Sequence, residues 1–353
     1  MSLSLPTIFE TCKPRADVQS GATKDEQFVA DLTQVLRGTA PEEYRKPEMF
    51  FRLTYPTRGL RELLKAVCLR LSGKGGEVAS IIRLGTQYGG GKTHGLIALV
   101  HAVKGMKGIA NASDFVDAAI LPSGKIRIAA LDGENSDPAN GLTLEDGLRA
   151  FSFWGEMAYQ LAGRSGYERV RNSDEKHIAP GTDTIRELFG NEPTLILMDE
   201  VSVYLRKVEK AFPGMSEQFT AFIHALFKAV SSSPNVALVY TLAVGSDDVA
   251  KDAYKEENER AAAAMSDLRR SRSCISRGFH VGSIANLRCS GWFSTFKDET
   301  MATRLACRRA GSQVRRTRAR LHGLSARATT ERLRLDRSRL RRREAALHDD
   351  RRR

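Results

Sequence analysis

The stretch "RLGTQYGGGKTHG", Arg83 to Gly95, constrains this chain more than any other. A short apolar, β-branched run, "GEVASIIRLGT", leads straight into three consecutive glycines and a Lys-Thr pair, and "KTHGLIALVHAV" then reads as a helix. A glycine turn between a strand and a helix lets backbone N–H groups converge on an anion at the helix N-terminus. Glycine is required because side chains would block the approach and because several positions take positive φ. Gly89, Gly90 and Gly91 supply the permissive positions, Lys92 has the reach for a β- or γ-phosphate, and the Thr93 hydroxyl suits Mg²⁺. Thr86 stands where the usual G-x-x-x-x-G-K-[ST] pattern has its first glycine. That glycine serves mainly the entry to the turn, and Gly85 can take over part of the role. His94, just inside the helix, is counted with the cofactor-binding run, although a histidine there is more often a packing residue. His101 and His224 read as packing residues.

The remainder of the body alternates. The strand-like "KIRIAAL" (Lys125–Leu131) is followed by a helical pattern, "LEDGLRAFSFWGEMAYQLAG", with Leu148, Phe151, Trp154 or Met157, and Leu161 on one side. A third strand, "TLILMD" (Thr194–Asp199), precedes an amphipathic helix from Ser216, and a fourth, "NVALVYTLAV" (Asn235–Val244), closes the series. Strands that are continuous apolar runs separated by helices imply a parallel sheet covered on both faces. The expected fold is therefore an α/β, P-loop-type doubly wound parallel sheet over residues 76–250, preceded by a helical N-terminal segment over 1–75. Within that segment "GLRELLKAVCLRLSG" carries Leu60, Leu63, Leu64, Val67 and Leu71 as one apolar stripe.

A second signal strengthens the first. In "LILMDEVSVYL" four apolar residues end in Asp199 and Glu200, about 107 residues after the glycine turn and on the next-but-one strand. Two acids at the carboxyl edge of a buried strand lie where open α/β sheets bind ligands. One suits Mg²⁺, with Thr93, and the next suits activation of a water molecule in line with a γ-phosphate. A solvated strand end is the plainer reading of such acids taken alone, but the two signals together point to ATP with Mg²⁺. An acid that activates water favours hydrolysis over phosphate transfer. Thr241, near the end of the fourth strand, is placed to contact the γ-phosphate or the attacking water, or else is a strand residue satisfied by backbone. In "LDGENSDP", Asp132, Glu134 and Asn135 also fall at the ligand edge, with a structural or water-positioning part open to Glu134.

With these residues assembled, the chain resembles a family of large AAA-type ATPases, known through a domain of unknown function and found in bacterial anti-phage defence islands. The resemblance rests on "PTIFETCKPR", "FFRLTYPTRGLRELL", "GGGKTHGLIALVH", "LDGENSDP", "LILMDEVSVYLRK" and "VYTLAVG…DAYKEENE", and spans about residues 5–259. It implies ATP binding and hydrolysis, with Lys92, Thr93, Asp199 and Glu200 on the Walker motifs; Thr86 fits the family's variant loop. It also implies a DNA-directed complex with a DNA methyltransferase-like protein and a helicase as partners, and allows a homo-oligomer. Members are considerably longer, and the similarity stops near Ser266. No arginine finger is identifiable before that point, so slow turnover is expected.

Charge divides the chain at the same place. The net +13 is not spread evenly: residues 267–353 hold 23 Arg, 1 Lys and 8 acids, or +16, whereas residues 1–266 hold 31 basic and 34 acidic residues. A helical extension is expected over 251–266. Two readings of the tail at 267–353 stay open. It is a nucleic-acid-binding arm whose Arg residues neutralise phosphates, or it is the product of a GC-rich gene read out of frame, which accounts for the near-total preference for Arg over Lys. Disorder is expected of the tail either way. An arm of the first kind would make the protein a basic nucleic-acid binder, and truncation of the second kind would leave a nucleotide-binding fragment with little hydrolysis. Five widely spaced cysteines suggest neither a disulfide framework nor a zinc site, and no apolar run reaches a membrane-spanning length. A cytoplasmic protein without a membrane partner is expected.

Overall fold

The computed structural model describes residue 20 and residues 30–74, 78–85, 91–144 and 147–242. Thr86, Gly89, Gly90, the extension at 251–266 and the tail at 267–353 lie outside the described residues.

Four short apolar runs become the strands β1 (Ile81–Leu84), β2 (Arg127–Asp132), β5 (Thr194–Asp199) and β6 (Val236–Thr241). They form a parallel sheet in the order β1-β6-β5-β2. Their side chains alternate between two buried layers, as the pleat dictates. Ile196 and Met198 of β5 and Val236, Leu238 and Tyr240 of β6 enter one core, while Leu195, Leu197, Ala237 and Val239 enter the other. Burial on both faces explains why these strands read as unbroken apolar runs.

One face is covered by α6 (Phe153–Glu175), α7 (Thr182–Phe189), α8 (Val201–Ala211) and α9 (Met215–Ser232). The other is covered by α1 (Leu32–Arg37), α3 (Pro47–Leu53), α4 (Arg58–Leu71) and α5 (Lys92–Val103); α2 (Glu42–Arg45) joins α1 to α3. The stripe read on α4 is the buried one: Leu60, Leu63, Leu64, Val67 and Leu71 are all inside, each contributing about 1.5–3 kcal/mol by leaving water. Thr57 caps the helix, accepting the Leu60 N–H at 3.2 Å. At the other end Arg70 donates to the carbonyls of Ser233 and Val236, fastening α4 to the start of β6. The N-terminal helices thus share a core with α5 and the sheet.

The structure corrects the sequence reading between residues 142 and 152. The helix expected from Leu144 begins only at Phe153; before it, β3 (Leu142–Thr143) and β4 (Arg149–Ala150) pair as an antiparallel hairpin. Gly141 and Gly147 sit at positive φ, 72° and 71°, which a helix does not allow. Ser152 then caps α6 by accepting the Gly155 N–H, and both Ser152 Oγ and the Phe151 N–H donate to Asp174, a wholly buried carboxylate that also accepts the Tyr167 hydroxyl. This staple fixes where the helix starts. Within α6 the backbone leaves helical geometry at Ala162 and Gly163. Among the described residues no helix is long and apolar enough to cross a membrane.

Candidate functional site

The register of the sheet draws the candidate residues into one row. Leu84, the last residue of β1 before the glycine turn, pairs with Thr241; Met198 pairs with Tyr240, which brings Asp199 level with Thr241; and Asp199 pairs with Asp132. All lie at the carboxyl ends of parallel strands, the edge at which such sheets bind ligands. Gly91, the N-cap of α5, has φ 76°, the left-handed conformation that starts the helix at Lys92.

Lys92 is only 6% exposed, an unusual burial for an ammonium group. The Glu200 carboxylate lies 3.6 Å from its Nζ. Thr93 Oγ1 donates to Asp199 Oδ2 at 2.7 Å, and Thr241 Oγ1 donates to Asp199 Oδ1 at 2.5 Å. Burial pushes the Asp199 carboxyl above the usual carboxylate range, while the two threonine hydroxyls pull against it. Burial raises Glu200 as well; Lys92 opposes the shift, and the charges of Asp199 and Glu134 add to it. Glu200 itself has φ 48° and ψ 46°, left-handed geometry rarely taken by a residue with a side chain, and serves as the N-cap of α8.

The loop after β2 closes against this corner. A Cβ on Gly133 would lie 2.3 Å from the Glu200 carbonyl oxygen, so the residue must be glycine for the loop to approach. Asp132 accepts the N–H groups of Glu134 and Asn135 and also the Thr33 hydroxyl, tying α1 to the loop. Lys207 on α8 donates to the carbonyls of Glu134 and Ser136. Beside the loop a cavity is lined by Arg37, Asp132, Ser152, Glu156 and Tyr204. Burial, with Asp132 nearby, pushes the Glu156 carboxyl up to about 8.

Lys92, Thr93, Asp199, Glu200 and Thr241 are therefore brought together, with Gly91 at the mouth of the helix. His94 is committed elsewhere: its Nε2 is 2.9 Å from Thr54 Oγ1 and its ring stacks on Phe50 at 4.4 Å. His101 is likewise held at the Tyr44 carbonyl. Glu134 is exposed, with its backbone rather than its carboxylate anchored to the protein.

One comparison places the chain in a family. A family model described as the DUF499 N-terminal domain matches residues 8–274, well over half the chain and all of the described fold. The chain belongs to the DUF499 family. No curated protein matches it. The DUF499 match includes the glycine turn, the Asp199–Glu200 pair and the β2 loop, and it ends a few residues past Asp267, where the Arg-rich composition begins. Reading the sequence for motifs missed the special backbone at Glu200 and the demand for glycine at 133. Both depend on contacts between segments far apart in the chain, and the one local signal was a glycine directly after a strand-end aspartate.

Proposed function

We propose that this DUF499 protein binds ATP with Mg²⁺ at the carboxyl edge of its sheet and hydrolyses the γ-phosphate. The observation that carries the reading is the hydrogen bond between Thr93 and Asp199, beside the buried Lys92. It joins a helix N-terminus, a hydroxyl, an ammonium and a carboxylate from segments 106 residues apart. The residues fit the ligand. The Lys92 ammonium is buried at the mouth of α5, with the Glu200 carboxylate 3.6 Å from its Nζ, and a cation at that place suits a phosphate. Lys92 would hold the terminal phosphates together with the N–H groups at the start of α5, and Thr93 and Asp199 would hold Mg²⁺, which offsets phosphate charge when bound.

Within this frame each side chain has a task of its own. Lys92 would bind the phosphate, leaving Glu200 free of its charge. Glu200, raised by burial and held on a rigid corner, is then placed to take a proton from water. By resemblance, we further propose that hydrolysis drives or switches a DNA-directed defence complex, with a DNA methyltransferase-like protein and a helicase as partners. The test of the site is Lys92→Ala, which removes the buried cation without adding bulk. Binding of a fluorescent ATP analogue with Mg²⁺ should fall by at least about 10²-fold. Equal binding by the variant and the parent would refute the site.

A further inference from the structure

Thr241 ends β6 and is completely buried. Its hydroxyl carries a single proton, and the partners decide where it goes. The Glu200 backbone N–H can only donate, and it lies 2.9 Å from Thr241 Oγ1, so the hydroxyl oxygen accepts there. The hydroxyl donates its proton to Asp199 Oδ1 at 2.5 Å. The donor is thereby used up, and the group has no proton left to offer a phosphate oxygen.

We propose that Thr241 is a positioning residue that locks the two adjacent acids, not a group that reads the terminal phosphate. The lock acts at two points. Asp199 has Oδ1 held by Thr241 and Oδ2 held by Thr93, so its carboxylate cannot rotate without breaking one hydrogen bond or the other. Glu200 has its N–H forked between Thr241 Oγ1 at 2.9 Å and Asp199 Oδ1 at 3.1 Å, and this fork sustains the left-handed backbone from which α8 departs. Such a conformation persists only where its surroundings over-determine it. Thr241 touches both acids, and it does so from the strand between β1 and β5. Its role in turnover rests on reading this edge as an ATPase site, whereas the lock itself is a property of the protein without nucleotide.

The experiment compares Thr241→Val, which keeps the shape and removes the hydroxyl, with Thr241→Ser, which keeps the hydroxyl. Amide hydrogen exchange at Glu200, read by NMR in nucleotide-free protein labelled with ¹⁵N-glutamate, should quicken about 10-fold or more in the valine variant and stay near the parent value in the serine variant. With Mg²⁺ and ATP the valine variant should lose about 10- to 100-fold in kcat, while the ratio of its affinities for ATP and ADP stays at the parent value. A phosphate reader would instead lower that ratio. Unchanged Glu200 exchange in Thr241→Val overturns the proposal, as does a fallen ATP-to-ADP ratio. If the valine variant does not fold, Thr241→Cys, with its weak donor, gives the same comparison. A parent that binds no ATP would sink the ATPase reading alone, because the exchange measurement still decides the lock.

Discussion

Glu200 combines two properties that seldom meet in one residue: a carboxylate raised by burial and a backbone at φ 48°. Left-handed geometry in a residue with a side chain costs about 1–3 kcal/mol, so it has to be held by its neighbours. The neighbours are the partners of its forked N–H on one side and Gly133, packed closely against its carbonyl, on the other. Glu200→Gln keeps the shape and the backbone demand but removes the proposed base. It should retain ATP affinity and lower turnover by about 10²-fold or more, checked by steady-state hydrolysis beside a binding titration. Equal turnover in a parent that does hydrolyse would remove Glu200 from the chemistry. The membership of this site was legible in the sequence, because Lys92, Thr93, Asp199 and Glu200 announce themselves by residue type and by position next to glycine or apolar runs. The commitments of Thr241 and Gly133 were not, because each is set by a strand register or a loop approach that brings together residues distant in the chain.

Elements were legible where one periodicity extended over enough residues. The strands of the main sheet and the helices α4, α5 and α9 fall where apolar runs and stripes put them, whereas β3 and β4, two residues each, are too short to carry a pattern. The start of α6 was set too early because Leu148 and Phe151 fit a helical period; what stops the helix is Asp174, which reaches Phe151 and Ser152 from 22 or 23 residues away. A similar long-range contact governs α3 and α5. Thr54 Oγ1 donates to the Phe50 carbonyl at 2.6 Å, so its oxygen accepts from His94 Nε2, which therefore carries the ring proton. Enclosed against Phe50 and Tyr44, His94 is pushed down to about 3. The unfolded chain takes up a proton below about pH 6.5 that folded His94 refuses, so the stability present above 6.5 is lost as pH falls from there toward 3. Between pH 7 and pH 5 this amounts to at most about 2 kcal/mol. Thermal unfolding of parent and His94→Gln at both values should show the smaller drop in Tm in the variant. An equal drop would mean that His94 charges freely in the folded protein.

At the scale of the whole molecule, two boundaries obtained by different means nearly coincide. Composition changes at residue 267, where Arg to Lys becomes 23 to 1, and the DUF499 match ends at residue 274. The matched model is that of an N-terminal domain, so a change of composition beside its end fits a further, Arg-rich segment, and it also fits a shift of reading frame in a GC-rich gene. The described sheet and its acid row lie wholly before this join, so the +16 of residues 267–353 bears on the site only if that stretch is a genuine arm. The two origins differ in what the coding DNA must contain. If the frame is lost between residues 266 and 274, one of the other two frames should run open downstream, with Arg and Lys in balance and apolar residues at helical spacing continuing from "KDAYKEENERAAAAM". Sequencing the locus and translating all three frames checks this. Early stops in both alternatives would make the arm real. DNA affinity of the full chain should then fall with salt at a slope of about −0.9 for each phosphate neutralised, steep for a stretch with 24 basic residues. We expect the open frame, and with it the loss of any steep salt dependence once the restored chain is made.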